Sequence, residues 1–251
     1  MNSFNDFIDQ FKFDPGKAGN IGSEREFLLL RDEKIVPIAV DVLKGINSTN
    51  GTFGYELSAC QLESRTNPCS LELFPKELQR VEDLLVGAEK NIGFRRSFKE
   101  VGPRTMPRDI YPNERYVEIA SHKSVEELLA ACRVVATHIH VGMPNHETAL
   151  IAYNKTLQYV ERLCELGDHS GGKRLAIYRK MASNCTPPNY DTWRDFYAKA
   201  VTEGFTNDPR QCWTWVRISK HGTIEFRMFG TTNKLSEIVK WAQICHKICF
   251  S

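Results

Sequence analysis

Acidic, histidine and arginine side chains recur two residues apart in this chain, and on a β-strand that spacing aims both side chains at one face. Gly22-Ser23-Glu24-Arg25-Glu26-Phe27 carries two carboxylates in this way. Side by side they repel unless protons or cations intervene, and a hard divalent ion such as Mg²⁺ or Mn²⁺ resolves the repulsion. Thr137-His138-Ile139-His140-Val141-Gly142 turns two imidazoles one way and two aliphatic side chains the other. Neutral imidazole binds divalent metals well, although one core and one surface histidine would give the same pattern. Gly222-Thr223-Ile224-Glu225-Phe226-Arg227 sets a carboxylate beside a guanidinium. That pair suits a metal ligand next to a phosphate clamp, because the planar guanidinium grips phosphate oxygens with two hydrogen bonds. It equally suits a surface salt bridge of little energetic value. Arg217, on the other arm of the same hairpin, would add a second positive charge. Glu56 and Glu63 are seven residues apart, so a straight strand sends them to opposite faces and only a bulge or bend unites them. Arg174 and Arg179, followed by Pro187-Pro188-Asn189-Tyr190 and Trp193, read as an arginine-bearing loop suited to an anionic substrate or simply to solvent.

The elements that would position these residues follow from periodicity and turn chemistry. Strands are predicted over Ile21–Leu30, with Ile35–Ala39 pairing back, and over Tyr55–Thr66, Thr137–Met143, Trp213–Ser219 and Thr223–Phe229. The last two are joined by Lys220-His221-Gly222 as a hairpin. Phe4, Phe7, Ile8 and Phe11 recur at helical spacing. A helix near Pro75 presents Leu78, Val81, Leu84, Leu85 and Ala88 as one apolar stripe. Ser124 and Glu127 form a capping box before Leu128–Val135. Further helices are expected over about 146–166, from Asp191 or Thr192 to Gly204, and over Leu235–Cys249. Residues 45–54 and 99–115 read as loops. Strands and helices do not alternate one by one, so an α+β fold is expected, with a curved, mainly antiparallel sheet and flanking helices.

Composition sets the outer bounds. The chain has 251 residues, 41% hydrophobic and 25% charged, with a formal charge of +2. That is ordinary for one globular domain spanning 1–251. No basic tract suggests nucleic acid, and no stretch approaches the roughly 20 apolar residues of a membrane span. Asp6 and Asp9 break any apolar N-terminal run, so no secretory leader is read there. Eight cysteines without a Cys-x-x-Cys pair fit buried thiols in a reducing cytoplasm.

Taken together and in order, these patterns resemble the type-2 glutamate–cysteine ligases and their carboxylate–amine ligase (amidoligase) relatives, which share the glutamine synthetase catalytic fold. Gly22 to Phe27 is similar to the family's first strand. Glu56 to Pro68, Tyr116 with the run to Gly142, Pro187 to Trp193 and His221 to Arg227 resemble its later segments. The resemblance covers about 21–245. It implies an ATP-dependent ligase joining a carboxylate, glutamate by default, to an amine through an acyl phosphate. Glu24, His140 and Glu225 would hold one Mg²⁺ or Mn²⁺; Glu26, Glu63 and Glu56 would hold another. Arg227 would bind the phosphoryl group in flight, His138 would lie beside the nucleotide phosphates, and Arg179 would contact substrate or phosphate. Arg25 stands where the family motif is often acidic, but faces away from Glu24 and Glu26. The chain is shorter than most such ligases, which bears on the acceptor pocket and leaves homo-oligomerisation open. Two rival interpretations remain: a hydrolase with zinc on His138 and His140, disfavoured by the carboxylate excess, and a non-catalytic binding protein on a ligase scaffold. The absence of a serine–histidine or cysteine–histidine motif fits chemistry by alignment and charge neutralisation.

Overall fold

Alternation in Ile21–Arg31 (β1) is what splits the molecule into a core side and a cleft side. Ile21, Ser23, Arg25 and Phe27 are buried on one face, and Gly22, Glu24 and Glu26 take the other. A computed structural model describes residues 2–46, 51–182 and 184–251. Part of the loop expected over 45–54 therefore lies outside the described residues, while Gly45 and Ile46 end a helix.

The other strands are Lys34–Ile35 (β2), Phe53–Tyr55 (β3), Gln61–Arg65 (β4), Arg95–Ser97 (β5), Thr137–Gly142 (β6), Val216–Ser219 (β7) and Thr223–Phe229 (β8). They form one antiparallel sheet in the order β3-β4-β1-β6-β8-β7, with β2 and β5 also pairing β1. The helices are Phe4–Ile8 (α1), Ala39–Ile46 (α2), Phe74–Ile92 (α3), Glu114–Ser121 (α4), Val125–Arg133 (α5), His146–Thr156 (α6), Val160–Leu166 (α7), Lys173–Met181 (α8), Trp193–Glu203 (α9) and Leu235–Phe250 (α10). The antiparallel α+β architecture expected from the sequence is what the chain adopts.

Helices α3, α6 and α10 cover the core face. Phe74 and Leu78, Ala149 and Ala152, and Ile238, Trp241 and Ala242 pack there against Ile21, Ile139, Val141, Ile224 and Phe226. A second cluster joins Phe27, Leu29 and Leu62 to Val42 of α2 and to Val81, Leu85 and Ala88 of α3. Leu84, expected in the α3 stripe, is 45% exposed; Phe74 takes its place. On the opposite face a small apolar plug of Leu28, Cys60, Met106, Cys132 and Val135 fills one end, leaving the rest of that face to charged residues. No helix among the described residues is long and apolar enough to cross a membrane.

Several local expectations are corrected. The predicted strand Tyr55–Thr66 is two strands, because residues 56–60 leave the sheet and Ser58 bridges to Ile110 instead. Ile35–Ala39 pairs back only at Lys34–Ile35, since Pro37 has no amide hydrogen to donate and α2 begins at Ala39. The last two residues of the loop predicted over 99–115 begin a helix, Glu114–Ser121, capped by Asn113. Arg174 and Arg179 lie on α8 rather than in a loop. The Ser124–Glu127 capping box and the Thr192 cap form as expected.

One tight approach fixes the end of β6 against the turn that precedes β1. The Gly142 amide donates to the Asn20 carbonyl and the Gly142 carbonyl accepts from Gly19, both at 2.9 Å. A Cβ at this position would collide with the Lys17 carbonyl oxygen, a backbone atom with no side-chain freedom. Gly142→Ala is expected to cost about 1–3 kcal/mol. For a chain of this length that lowers the melting temperature by roughly 3–10 °C. An unchanged melt by calorimetry would mean that the 17–20 turn yields without cost.

Candidate active site

Register brings the predicted residues together. Glu24 stands opposite His138 and Gly22 opposite His140 across β1–β6. His140 faces Glu225 across β6–β8, and Glu225 faces Arg217 across β8–β7. On the other side Glu26 lies directly across from Glu63. Because one face of the sheet is buried under helices, all of these side chains are forced onto the other. The departure of residues 56–60 from the sheet releases the seven-residue spacing from strand parity, so that Glu56 reaches the same place as Glu63.

Two acidic groups result. Glu24, His140 and Glu225 offer ligand atoms all within 4.8 Å of one another, and Glu26, Glu56 and Glu63 do the same. His138 stands between them, with Nδ1 3.3 Å from Glu24 Oε2 and 3.9 Å from Glu225 Oε1, and Nε2 3.6 Å from Glu26 Oε1.

The first group is electrostatically balanced. Glu225 is fully buried, which alone would raise its pKa, but Arg217 and Arg227 overcome this and hold it well below the usual range. Arg217 Nε donates to Glu225 Oε2 at 2.7 Å, and Arg227 donates to Glu225 Oε1. Burial likewise works against Glu24, yet the neighbouring His140 and His138 bring it down. His140 is raised despite its burial, through the charges of Glu225 and Glu24. Burial and the Arg227 charge depress His138 to about 4, so its imidazole is neutral.

The second group is not balanced. Burial raises Glu26, Glu56 and Glu63, and their mutual repulsion adds to the shift in Glu26 and Glu63. Like charges directly opposite on a sheet are destabilising, and the partial relief comes from Arg65 on Glu63 and from the Ala136 amide, which donates to Glu26 Oε2 at 2.8 Å.

The donor set fits divalent cations. Carboxylates dominate, as hard cations require. His140 Nδ1 lies 2.9 Å from the Thr223 hydroxyl, while its Nε2 is buried without a hydrogen-bond partner and 3.6 Å from Glu24 Oε2. A proton on Nδ1 given to Thr223 leaves the Nε2 lone pair aimed into the group, the arrangement in which an outer oxygen orients a metal-binding imidazole.

Some residues had no role in the sequence reading. Arg65 neutralises Glu63, Thr223 orients His140, and Tyr178 and Trp213 border the Arg227 guanidinium, which stands 5.7 Å from the Trp213 ring centre. Thr223 and Arg65 carried a signal, each at an alternating position beside a glutamate, Glu225 and Glu63. Conversely, Arg179 is exposed, lies 5.9 Å from the Trp215 ring centre, and makes no ion pair among the described residues. The Pro187–Trp193 segment packs on α6 instead: Tyr153 donates to the Pro188 carbonyl at 2.9 Å, and Trp193 to that of His146. Arg25 faces away from Glu24 and Glu26, as expected, with Nη1 2.8 Å from Glu82 Oε2.

The family model described as glutamate-cysteine ligase family 2 matches residues 20–165. A protein provisionally named glutamate–cysteine ligase 2-2 from Mycobacterium sp. (strain KMS) is 26% identical over 243 residues, covering 89% of this chain and 66% of the relative. A protein provisionally named glutamate–cysteine ligase 2 from Roseiflexus sp. (strain RS-1) is 22% identical over 206 residues, covering 75% and 54%. The chain thus spans roughly half to two thirds of the length of these relatives. Among solved structures, a bifunctional glutathione synthetase from Pasteurella multocida superposes with a TM-score of 0.61 at 14% identity, over 97% of this chain and 39% of that one. That likeness is one of fold.

Proposed function

The chain belongs to glutamate-cysteine ligase family 2, and from that premise we propose that it is an ATP-dependent carboxylate–amine ligase with glutamate, or an acid like it, as the activated substrate. The observation that carries the proposal is the meeting of two acidic groups on one sheet face with a buried arginine between strand and cleft.

In the proposed reaction an oxygen of the substrate carboxylate attacks the γ-phosphorus of ATP and ADP leaves, giving an acyl phosphate. The amine then attacks the acyl carbon, loses a proton, and phosphate departs with the electrons of the C–O bond. Glu24, His140 and Glu225 would hold one Mg²⁺ or Mn²⁺ ion and Glu26, Glu56 and Glu63 a second; bound there, the ions supply charge neutralisation for the phosphates. Arg227 meets the negative charge of the group in transfer, and Arg217 keeps Glu225 ionised and oriented. His138, neutral between the two groups, can face phosphate oxygens without competing for them as a cation. Arg179 is left as a rim contact for substrate. The zinc hydrolase alternative gains no support, since only one of the two histidines joins a three-ligand group. Free thiols at all eight cysteines suit a cytoplasmic setting, which is part of the same proposal.

The test is a screen of carboxylate and amine pairs, glutamate with cysteine first, for ADP or phosphate release that requires Mg²⁺ or Mn²⁺ and both organic substrates. Turnover with one pair well above the others supports the proposal. Release that ignores both organic substrates would reduce the protein to a nucleotide hydrolase.

A further inference from the structure

Behind the cleft lies an ion pair that the proposed chemistry does not use. Arg174 and Glu100 have side chains only 1% exposed, and Arg174 Nε is 3.6 Å from Glu100 Oε2. Arg174 is the second residue of α8, where the partial positive charge of a helix N-terminus disfavours a cation. A buried arginine in that position is costly unless the carboxylate compensates it. Glu100 is itself fixed, since its Oε1 accepts from the His169 amide at 2.8 Å and is packed so closely on Gly230 that a Cβ there would collide with it.

What the pair holds is the backbone next to Arg227. Between β6 and β8, Ile139 faces Phe226 but Thr137 faces Phe229, so β8 carries one extra residue in this stretch. Such a bulge leaves a backbone group without its ladder partner and re-aims the side chains around it. The Arg174 guanidinium donates to the Met228 carbonyl inside the bulge. From the other edge, the Arg227 amide donates to the Trp215 carbonyl at 2.8 Å. The bulge is therefore held from both sides, and Arg227 projects from it toward Glu225.

We propose that Arg174 is a positioning residue: ion-paired with Glu100, it pins the β8 bulge at the Met228 carbonyl and so sets where the Arg227 guanidinium points. This rests on the ligase reading for what Arg227 does, but not for the pinning itself. Arg174→Lys keeps the charge, yet a single ammonium cannot span Glu100 and the carbonyl as a planar fork does. The pair variant Glu100→Gln with Arg174→Gln removes both buried charges together, so that neither is left uncompensated.

Two measurements decide the matter. In the ligand-free protein, amide hydrogen exchange at 226–230 should speed up by about tenfold or more in either variant, with exchange in the β1–β4 ladder unchanged. In steady-state kinetics, Arg174→Lys should lower kcat by roughly 10–100-fold with KM for ATP changed less than about threefold. Added to Arg227→Ala, it should lower kcat by less than about twofold more, because a residue acting through Arg227 has nothing left to act on. Unchanged exchange at 226–230, or losses that simply multiply in the double variant, would overturn the proposal. A wild-type protein with no ligase turnover would defeat the reaction and leave the exchange measurement to judge the pin.

Discussion

Arg227→Ala is expected to lower kcat by roughly 10²–10³-fold, equivalent to about 3–4 kcal/mol of transition-state stabilisation, while KM moves little. The guanidinium is buried beside Glu225 and sits on the same face as both acidic groups. On the proposed reaction it meets charge that is greatest while the phosphoryl group is in transfer, so its loss falls on the chemical step. Folding should suffer less. Arg217 also pairs with Glu225, at 2.7 Å, so in the variant the buried carboxylate should keep a partner and the cost should be about 1.5–3 kcal/mol, that of one charged hydrogen bond. Arg227→Lys keeps the charge without the two-pronged geometry and should recover only part of the rate. Steady-state kinetics on a working substrate pair, with a thermal melt alongside, separates this from a salt bridge that merely supports the fold. An alanine variant with full kcat would sever Arg227 from the chemistry.

How far such residues could be found from sequence depends on whether their geometry is written in a local repeat. Glu24 with Glu26, His138 with His140, and Glu225 with Arg227 share a face because strands alternate, and β1, β6 and β8 form within two residues of their expected bounds. The joining of Glu56 to Glu63 was not readable from period two, because it depends on residues 56–60 leaving the sheet through a bridge between Ser58 and Ile110, fifty-two positions along. Here the family resemblance supplied what parity could not. The helix carrying Arg174 and Arg179 was hidden by Gly171 and Gly172 immediately before it, a pair that reads as loop and instead forms its left-handed entry. The bulge in β8 leaves no mark at all: Phe226, Arg227, Met228 and Phe229 are good strand residues, and only their partners on β6 and α8 reveal the extra one. Arg65 was visible beside Glu63, but its role follows from which face it takes, and that was settled by pairing with Glu24.

The metal proposal predicts a pH dependence whose sign is set by the crowded group. Burial, followed in Glu26 and Glu63 by neighbouring carboxylates, raises Glu26, Glu56 and Glu63 above their ordinary value. Groups raised on folding hold protons more tightly in the native state, so their contribution is fully present below the unfolded value near 4.5 and is lost as pH climbs through the folded value. His140, also raised, acts in the same direction. Glu24 and Glu225 are lowered, so what they contribute is lost only on acidification below the ordinary carboxylate range. As pH rises above the ordinary carboxylate value the metal-free protein should therefore weaken, while a divalent ion, which must displace the same protons, should bind more strongly. The gain in melting temperature from Mn²⁺ or Mg²⁺ should be small at the acid end. At the alkaline end it should reach roughly 5–10 °C when the ion is near 100 times its dissociation constant, or about 2.7 kcal/mol. Glu63→Gln removes one of the three repelling charges and leaves Arg65, whose side chain is 42% exposed, to find solvent. In metal-free buffer near pH 8 that variant should melt above the wild type, yet lose most of the gain from the ion. Sodium chloride at matched ionic strength controls for general screening. A gain that is flat with pH, or one that Glu63→Gln retains in full, would move the ion away from Glu26, Glu56 and Glu63.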